Sequence, residues 1–181
     1  MPFVVEITTP RLRLRRFTPA DLAIYHEVIY GDAEVMKTLP GGLPRSLESV
    51  EWMLGWHARH WDEHGCGFFA VELLETGQFI GHSGVFMWGL PTFELGYAYG
   101  HQYWGQGYAS EAGRACLEHA FAALPLEQID AVTLPGNTAS QKVLLKLGFQ
   151  PAGERQAYDS RLPYFTLPRA EFFRLNTDDE G

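Results

Sequence analysis

The sequence predicts a mixed α/β fold in one domain that spans residues 1–181, with a core from about residue 8 to residue 175. Two observations predict this class. Stretches whose apolar residues recur at the period of a strand are interleaved with capped stretches that have helical spacing. The chain of 181 residues also contains no repeats, low-complexity tracts or linkers, and this length suits one domain.

The first predicted elements are a strand and two helices. RLRLRRF, residues 11–17, alternates charged and apolar residues as a half-buried strand does. A helix over residues 19–29 follows, with Thr18 as its N-cap. The loop LPGGLPR then separates it from a second helix, SLESVEWMLGWHARHWDEHG, which is capped by Ser46 and terminated by Gly65.

The remaining predicted elements alternate between strands and helices. GFFAVELL, FIGHSGVFMW and TFELGYAY form an antiparallel meander. The Ala-rich segment ASEAGRACLEHAFAAL predicts a third helix and QIDAVTL another strand. NTASQKVLLKLGF predicts an Asn-capped fourth helix closed by Gly148. Strand-like pieces near residues 164–167 complete a mixed sheet flanked by about four helices.

Composition and charge exclude several classes of protein. Hydrophobic residues make up 46% and charged residues 20% of the chain, and no apolar run approaches the length of a membrane span. The formal net charge of −8 argues against a general nucleic-acid surface, which needs clustered Lys and Arg. The N-terminal apolar patch precedes the basic residues, the reverse of a secretory signal, so we expect a cytoplasmic protein.

The cysteine and histidine residues form no recognisable disulfide or metal pattern. Cys66 and Cys116 are too few for a disulfide framework and are expected to be buried thiols. His60 and His64 lie close to Cys66 in the sequence, but no fourth ligand follows at a recognisable spacing. We therefore predict no metal, and the end of an amphipathic helix explains these residues.

The stretch QYWGQGYASEA, residues 102–112, places two glycines one residue apart where a strand gives way to a helix. Gly adopts backbone angles that are closed to other residues, and a helix N-terminus offers unpaired N–H groups to an anion. The pattern therefore indicates either a phosphate cradle or a structural turn. A dinucleotide fingerprint would need a third glycine at Ser110, and the Gly-Lys-Ser/Thr ending of a triphosphate loop is absent.

Two linked motifs narrow this choice. FELGYAYGHQYWGQGYASEA followed by PGNTASQKVLLKLGF resembles the GNAT superfamily of N-acetyltransferases, and most closely its branch with the ribosomal-protein N-terminal (alanine/serine) acetyltransferases. The opening TPRLRLRRFTPAD resembles the usual start of that branch, so the likeness covers nearly the whole chain. It implies a sheet splayed between its fourth and fifth strands, acetyl-CoA as co-substrate without a metal, and direct acetyl transfer to a primary amine in a ternary complex.

The resemblance implies a use for each part of the glycine motif. In the family, backbone N–H groups of this loop and of the next helix bind the pyrophosphate of acetyl-CoA. The cradle implied here consists of Gln102, Gly105, Gln106, Gly107, Tyr108, Ala109 and Ser110. The strand ELGYAY corresponds to the family's fourth strand, whose backbone binds the pantetheine arm and supports the oxyanion. This assigns arm contacts to Tyr97, Ala98 and Tyr99, with Gly96 in a bulge.

The resemblance also implies three further site residues. Glu94 is the expected base that takes the proton of the attacking amine; its alternatives are a solvent-facing carboxylate or one that only holds the ammonium. Asn137 is expected to contact the cofactor arm as well as to cap its helix. Ser140 is expected to assist the departing thiolate, as proton donor or as hydrogen-bond donor only, since this helix carries no Tyr.

The sequence leaves the acceptor open among a protein N-terminus, a small amine or antibiotic, and an amino acid or its conjugate. Trp52, Trp56 and Trp61 are either core residues or the wall of an aromatic acceptor pocket. A non-catalytic acyl-CoA-binding sensor is the alternative from another class. A larger acyl donor such as succinyl-CoA would call for a basic partner, which the motifs do not supply. Exposed edge strands are compatible with a homodimer.

Overall fold

A computed structural model describes residues 5–177 of the chain. Eight strands in this range form one sheet in the order β1-β2-β3-β4-β5-β6-β8-β7. The strands are β1 Glu6–Thr8, β2 Leu12–Arg16, β3 Phe68–Leu73, β4 Phe79–Phe86, β5 Glu94–Tyr99, β6 Gln128–Val132, β7 Gln150–Ala157 and β8 Ser160–Pro168. The mixed, mostly antiparallel sheet predicted from the sequence is confirmed.

Six helices accompany the sheet in the described range. They are α1 Leu22–Tyr25, α2 Ala33–Met36, α3 Leu47–His64, α4 Tyr108–Ala123, α5 Thr138–Lys146 and α6 Arg169–Thr177. A 3₁₀ turn, Pro19–Asp21, precedes α1, and a π-helical turn, His26–Tyr30, follows it. Judged over residues 5–177, none of these helices combines the length and the apolar character needed to cross a membrane.

The sheet separates at one place, between β5 and β6. All other neighbouring strands pair antiparallel, whereas β5 and β6 are parallel and share a single register pair, Glu94 with Asp130. The strand β5 pairs with β4 over all six of its positions. The splay predicted between the fourth and fifth strands is therefore confirmed. It lies between β5 and β6 because β1, a strand that was not predicted, adds one to each strand number.

The caps predicted for the first two long helical segments are present. The N–H of Thr18 donates to Oδ2 of Asp21 at 2.7 Å, which satisfies a backbone donor before α1. Oγ of Ser46 accepts the N–H of Ser49 at 3.2 Å and begins α3. Gly65 has a φ of 71° and ends α3 in the left-handed conformation that Gly adopts most easily.

Apolar clusters cover both faces of the sheet. Along β3, Phe69 and Val71 belong to the cluster that includes α4, whereas Ala70 belongs to the cluster that includes α1 and α3. The helices therefore lie on opposite sides of the strands. Cys66 and Cys116 are buried free thiols, as predicted, and burial raises the pKa of each to about 12.

The structure adds elements that the sequence does not predict. Seven of the eight residues of β7 are exposed, so this edge strand has no apolar alternation that would reveal it. The predicted helix over residues 19–29 is broken into 3₁₀, α and π turns. Its π-helical end is closed by the N–H of Gly31, which donates to the carbonyl of His26 at 2.6 Å.

The bulge expected at Gly96 is wrong for the pairing of β5 with β4. Gly96 pairs with Gly84 in an unbroken register that runs from Gly81 to Phe86 on β4. A Cβ atom at position 96 would lie 2.6 Å from the ring of Phe86, so the position needs Gly because an aromatic side chain lies against the strand.

Candidate active site

A cavity of about 250 Å³ lies where β5 and β6 separate. Residues from β4, β5, α3, α5 and the segment after β6 line it. Among the predicted site residues, the cavity is lined by Glu94, Tyr97, Asn137 and Ser140. The fold thus brings together side chains that are up to 46 positions apart in the sequence, counted from Glu94 to Ser140.

Glu94 begins β5 and is 2% exposed, so it is not a carboxylate that faces solvent. Its Oε1 accepts the N–H of Gly89 at 2.9 Å and the hydroxyl of Tyr158 at 2.7 Å. Burial raises the pKa of Glu94, and these hydrogen bonds, with one from the backbone of Leu90, oppose the rise. A carboxylate with a raised pKa is a better proton acceptor than an ordinary exposed one.

Tyr97 and Ser140 form a hydroxyl pair at the cavity wall. Their hydroxyl oxygens lie 3.0 Å apart, and the phenol also lies 3.1 Å from the carbonyl oxygen of Ser140. Burial raises the pKa of Tyr97 to about 12, so the phenol keeps its proton at neutral pH. The helix of Ser140 carries no Tyr, and β5 supplies one instead.

Asn137 caps α5, as predicted. Its side-chain oxygen accepts the N–H of Ser140 at 3.1 Å, and its Nδ2 donates to the carbonyl of Thr38 at 3.3 Å. Asn137 therefore connects α5 to the segment that follows α2. Both ends of its amide have protein partners, and its contact with a cofactor stays a prediction.

The glycine loop has the geometry that the phosphate-cradle hypothesis requires. Gly105 and Gly107 have φ angles of 72° and 85°, a region that L side chains rarely adopt. Among the described residues, the six backbone N–H groups from Gly105 to Ser110 donate to no acceptor. Six free donors at the start of the 16-residue helix α4 fit an anionic group such as a pyrophosphate.

Neighbouring side chains hold this loop in place. Nε2 of Gln106 donates to the carbonyl of Gln102 at 3.0 Å. Nη1 of Arg11 donates to the carbonyl of Gln106 at 2.9 Å, and its guanidinium lies 4.5 Å from the centre of the Tyr108 ring. Nε of Arg11 also pairs with Glu111 at 2.6 Å. The start of β2 therefore fixes the conformation of the loop.

The other predicted cofactor-binding residues are buried or partly buried. Ala98 and Tyr99 are buried, and the carbonyl of Tyr99 accepts the indole N–H of Trp104 at 2.8 Å. Tyr108 and Ala109 are partly buried and pack against the core cluster of α4. The backbone of β5 beyond Glu94 lies beside the splay, where the family resemblance places the pantetheine arm.

Tyr158, whose hydroxyl contacts Glu94, is a site residue that was not predicted from the sequence. Tyr158 and Asp159 have φ angles of 50° and 58° in the turn between β7 and β8. The Tyr158 ring lies so close to Gly89 that a Cβ atom there would be 2.2 Å from it. Asp159 is of a residue type that favours turns and tolerates this conformation, but Tyr158 is not, so the sequence gives only a weak signal of the turn.

His57 and His82 also line the cavity, and the sequence analysis did not single them out. Nε2 of His57 and Nδ1 of His82 lie 3.2 Å and 2.9 Å from the hydroxyl of Tyr25. Burial lowers the pKa of each histidine to about 3, so both rings are neutral at pH 7. Their signal in the sequence is weak because each lies within an otherwise apolar stretch.

The residues weighed as a metal site make protein contacts instead. His60 Nδ1 lies 2.8 Å from the carbonyl of Cys66, and its Nε2 accepts the N–H of Met87 at 3.1 Å. Among the described residues, no group of three or more His, Cys, Asp or Glu side chains is arranged to hold a metal ion.

Known proteins are similar to this chain in sequence and in fold. The family model described as an acetyltransferase (GNAT) domain matches residues 11–150. YnaD of Bacillus subtilis (strain 168), named an uncharacterized N-acetyltransferase, is 31% identical over 150 residues, which cover 82% of this chain and 85% of that protein. An acetyltransferase from Agrobacterium tumefaciens str. C58 superposes with a TM-score of 0.80 at 26% identity, over 92% of this chain and 95% of its own.

The fold also matches a protein solved with a coenzyme. RimJ of Mycobacterium smegmatis, in complex with CoA-disulfide, has a TM-score of 0.75 at 23% identity, over 97% of this chain and 94% of its own. The family uses acetyl-CoA, and its domain match covers more than half of the chain. This protein therefore belongs to the GNAT family of acetyltransferases and is an N-acetyltransferase.

Proposed function

We propose that this enzyme transfers the acetyl group of acetyl-CoA to a primary amine, on a protein N-terminus or a small molecule, by direct attack in a ternary complex. One observation carries the proposal: a single cavity at the splay holds a buried carboxylate, Glu94, and the hydroxyl pair of Tyr97 and Ser140. Acetyl-CoA supplies an activated thioester when it is bound.

The cofactor would be held by backbone groups more than by side chains. The free N–H groups from Gly105 to Ser110 fit the pyrophosphate, because they lie unpaired at the positive end of α4. The backbone of Tyr97, Ala98 and Tyr99 beside the splay would hold the pantetheine arm, with Asn137 next to it. One N–H of this strand would support the oxyanion.

Glu94 acts as the base in this proposal. Attack on a thioester needs a neutral amine, whereas a free amino group is largely or partly protonated at neutral pH. The raised pKa of Glu94 suits it to accept this proton, directly or through water. Gly89 and Tyr158 hold its Oε1, so the carboxylate keeps one orientation in the cavity.

Ser140 assists the departing sulfur, with Tyr97 as its hydrogen-bond partner. A thiol of ordinary pKa is more acidic than a phenol with a pKa of about 12, so outright proton transfer from Tyr97 is unfavourable. Donation of a hydrogen bond to the sulfur fits both hydroxyls better. This favours the second of the two roles that the sequence left open for Ser140.

The test compares the native enzyme with Glu94→Gln in acetyl-CoA turnover, followed by thiol release across a panel of amines and N-terminal peptides. Gln keeps the shape and one acceptor oxygen but cannot take a proton. We expect a loss of roughly 10²–10⁴-fold in kcat/KM and the disappearance of the acidic limb of the pH profile.

Glu118→Gln is the matched control, because Glu118 is an exposed residue of α4 outside the cavity. It should keep native turnover. Equal turnover by Glu94→Gln and the native enzyme would contradict the role of the base. Tight acetyl-CoA binding without acetylation of any amine would instead support an acyl-CoA-binding sensor.

A further inference from the structure

Three tryptophans form an aromatic rim on the cavity that holds Glu94. Trp52 and Trp88 are each 55% exposed, and Trp56 is partly buried. Exposing large apolar rings to water is unfavourable, and clustered exposed rings beside a cleft usually mark a surface that a ligand covers. The tryptophan rim, Trp52, Trp56 and Trp88, therefore indicates what kind of acceptor the cavity binds.

Two elements build the tryptophan rim. Trp52 and Trp56 are four residues apart on α3 and share one face of the helix. The loop between β4 and β5 carries Trp88, whose ring centre lies 5.9 Å from Trp52 and 5.1 Å from Trp56. Both contacts are edge-to-face, with interplanar angles of 73° and 84°. This arrangement leaves ring faces and edges available to a further aromatic ring.

One residue of the loop between β4 and β5 links the tryptophan rim to the carboxylate of Glu94. Gly89 follows Trp88 directly, and its N–H donates to Glu94 Oε1 at 2.9 Å. Trp88 and Glu94 also line the same cavity, so we expect a ligand with its ring against Trp88 to need only a short linker to bring its nitrogen to Glu94. A longer peptide would place backbone amides against indole rings, which satisfy few of their hydrogen bonds.

The charges around Glu94 favour an ammonium ion. The carboxylate contacts the N–H of Gly89, the hydroxyl of Tyr158 and the backbone of Leu90, and no basic side chain pairs with it in the described residues. A positively charged amine would therefore find Glu94 without an ion-pair partner, and the net charge of −8 attracts it from solution. Arg45 also lines the cavity, but among the described residues it forms no ion pair with Glu94.

We infer that the acceptor is a small arylalkylamine, a primary amine joined by a short aliphatic linker to an aromatic ring that lies against the tryptophan rim. The inference rests on the proposed acetyl transfer. The amine nitrogen forms a bond to the acetyl carbon, the carbon–sulfur bond breaks, and the amine proton leaves by way of Glu94. The products are an N-acetyl arylalkylamine and free CoA thiol.

The first arm of the test compares kcat/KM for four acceptors: tryptamine, 2-phenylethylamine, 2-cyclohexylethylamine and an alanine-starting peptide. The cyclohexyl compound has the shape of the phenyl compound without its aromatic ring. We expect kcat/KM for the two aromatic amines to be about fivefold higher than for the cyclohexyl amine, because one aromatic contact contributes about that factor. The difference in kcat/KM from the peptide should be larger.

The second arm removes the rim. Trp88→Leu and Trp56→Leu should raise KM for tryptamine at least about fivefold with little change in kcat, because they remove ring contacts and not the chemistry. KM for 2-cyclohexylethylamine should change less. Phe173→Leu is the control, since Phe173 is an aromatic residue of α6, 43% exposed, that does not line the cavity. It should leave both constants unchanged.

Two results separate this inference from the proposed function. If the peptide or the cyclohexyl amine is acetylated as well as tryptamine, the inference fails and the proposed acetyl transfer stands. If no amine is acetylated, the proposed function fails, and calorimetric titration of tryptamine into the protein with CoA decides the inference. Binding that Trp88→Leu weakens would support it, and an absence of binding would overturn it.

Discussion

The hydroxyl groups of Tyr97 and Ser140 share one hydrogen bond, so a substitution of either one affects both. We predict that Tyr97→Phe and Ser140→Ala each lower kcat roughly tenfold, and that the double variant loses little more than either single one. A single donor assembled from two residues explains this lack of additivity. A double-mutant cycle on kcat at saturating acetyl-CoA measures it.

The control for this cycle is Ser49→Ala, which removes a cavity-lining hydroxyl on α3 that is not bonded to Tyr97. It should combine with Tyr97→Phe additively. Additive losses for Tyr97 and Ser140 themselves would show that the two hydroxyls act independently, and the shared role would be wrong.

Tyr158 tunes the proposed base. Its hydroxyl donates to Glu94 and lowers the pKa that burial raises, so Tyr158→Phe should raise the pKa of Glu94 further. A base must be ionised to accept a proton, and the acidic limb of kcat/KM should therefore move to higher pH. The pH profile of the variant against the native enzyme tests this shift.

Tyr103→Phe is the control, because Tyr103 is a partly buried tyrosine that does not line the cavity and does not act on the pKa of Glu94. Its acidic limb should coincide with the native one. An acidic limb that stays in place in Tyr158→Phe would mean that Tyr158 has a packing role against Gly89 alone.

At the scale of elements, the loop before α4 depends on the start of β2. Arg11 donates to the carbonyl of Gln106 and pairs with Glu111 in the first turn of α4. Arg11→Gln releases the loop and leaves a negative charge near the expected pyrophosphate. We predict that KM for acetyl-CoA rises about fivefold while kcat is nearly unchanged. Steady-state kinetics with varied acetyl-CoA measures both constants.

Thermal unfolding separates this effect from a loss of stability. Surface ion pairs contribute about 0–1 kcal/mol, so Arg11→Gln should keep nearly the native Tm. Adding Glu111→Gln should restore part of the affinity, since the uncompensated charge is then gone. Arg161→Gln, which breaks an exposed pair with Glu154 far along the chain, serves as control. An unchanged KM in Arg11→Gln would show that the loop holds its shape without the arginine.

Elements whose sequence signal lies within a few residues were predictable, whereas contacts between residues far apart in the sequence were not. Gly105 and Gly107 have the positive φ angles that their spacing indicated, and Asn137 caps α5 as expected. The contact of Tyr158 with Glu94 spans 64 positions and depends on a left-handed turn in which Asp159 is a residue type that favours turns but Tyr158 is not. Local patterns encode caps and turns, whereas the sheet order determines which side chains meet.

At the scale of the molecule, the order of the strands creates the site. The cavity exists because β5 and β6 share a single register pair and then separate. The glycine loop follows β5 directly, and α5 follows β6, so both flank the splay. This explains why residues 94–110 and 137–140 were recognisable as linked motifs. His57 and His82 reach the cavity from α3 and β4, outside these motifs, so they were not recognisable as site residues in the sequence.

Three buried histidines, His57, His60 and His82, predict how the whole molecule responds to acid, because burial lowers the pKa of each. In the folded state His57 and His82 have pKa values of about 3, whereas an unfolded histidine titrates near 6.5. Below pH 6.5 the unfolded chain therefore binds protons that the folded chain does not, and the free energy of unfolding falls until the pH approaches 3. By pH 5 the loss is about 2 kcal/mol for each of His57 and His82.

We therefore predict that the native protein loses stability steeply between pH 7 and pH 5, and that His57→Phe loses about 2 kcal/mol less over the same range. Phe suits this position because the rings of Phe17, Trp56 and Phe68 surround it. Urea unfolding at pH 7, 6 and 5 measures the slope, with His119→Gln as the control, because His119 is a partly exposed histidine of α4 outside the cavity. A slope in His57→Phe equal to the native one would mean that His57 takes up a proton without unfolding, and that the cavity wall tolerates a charged ring.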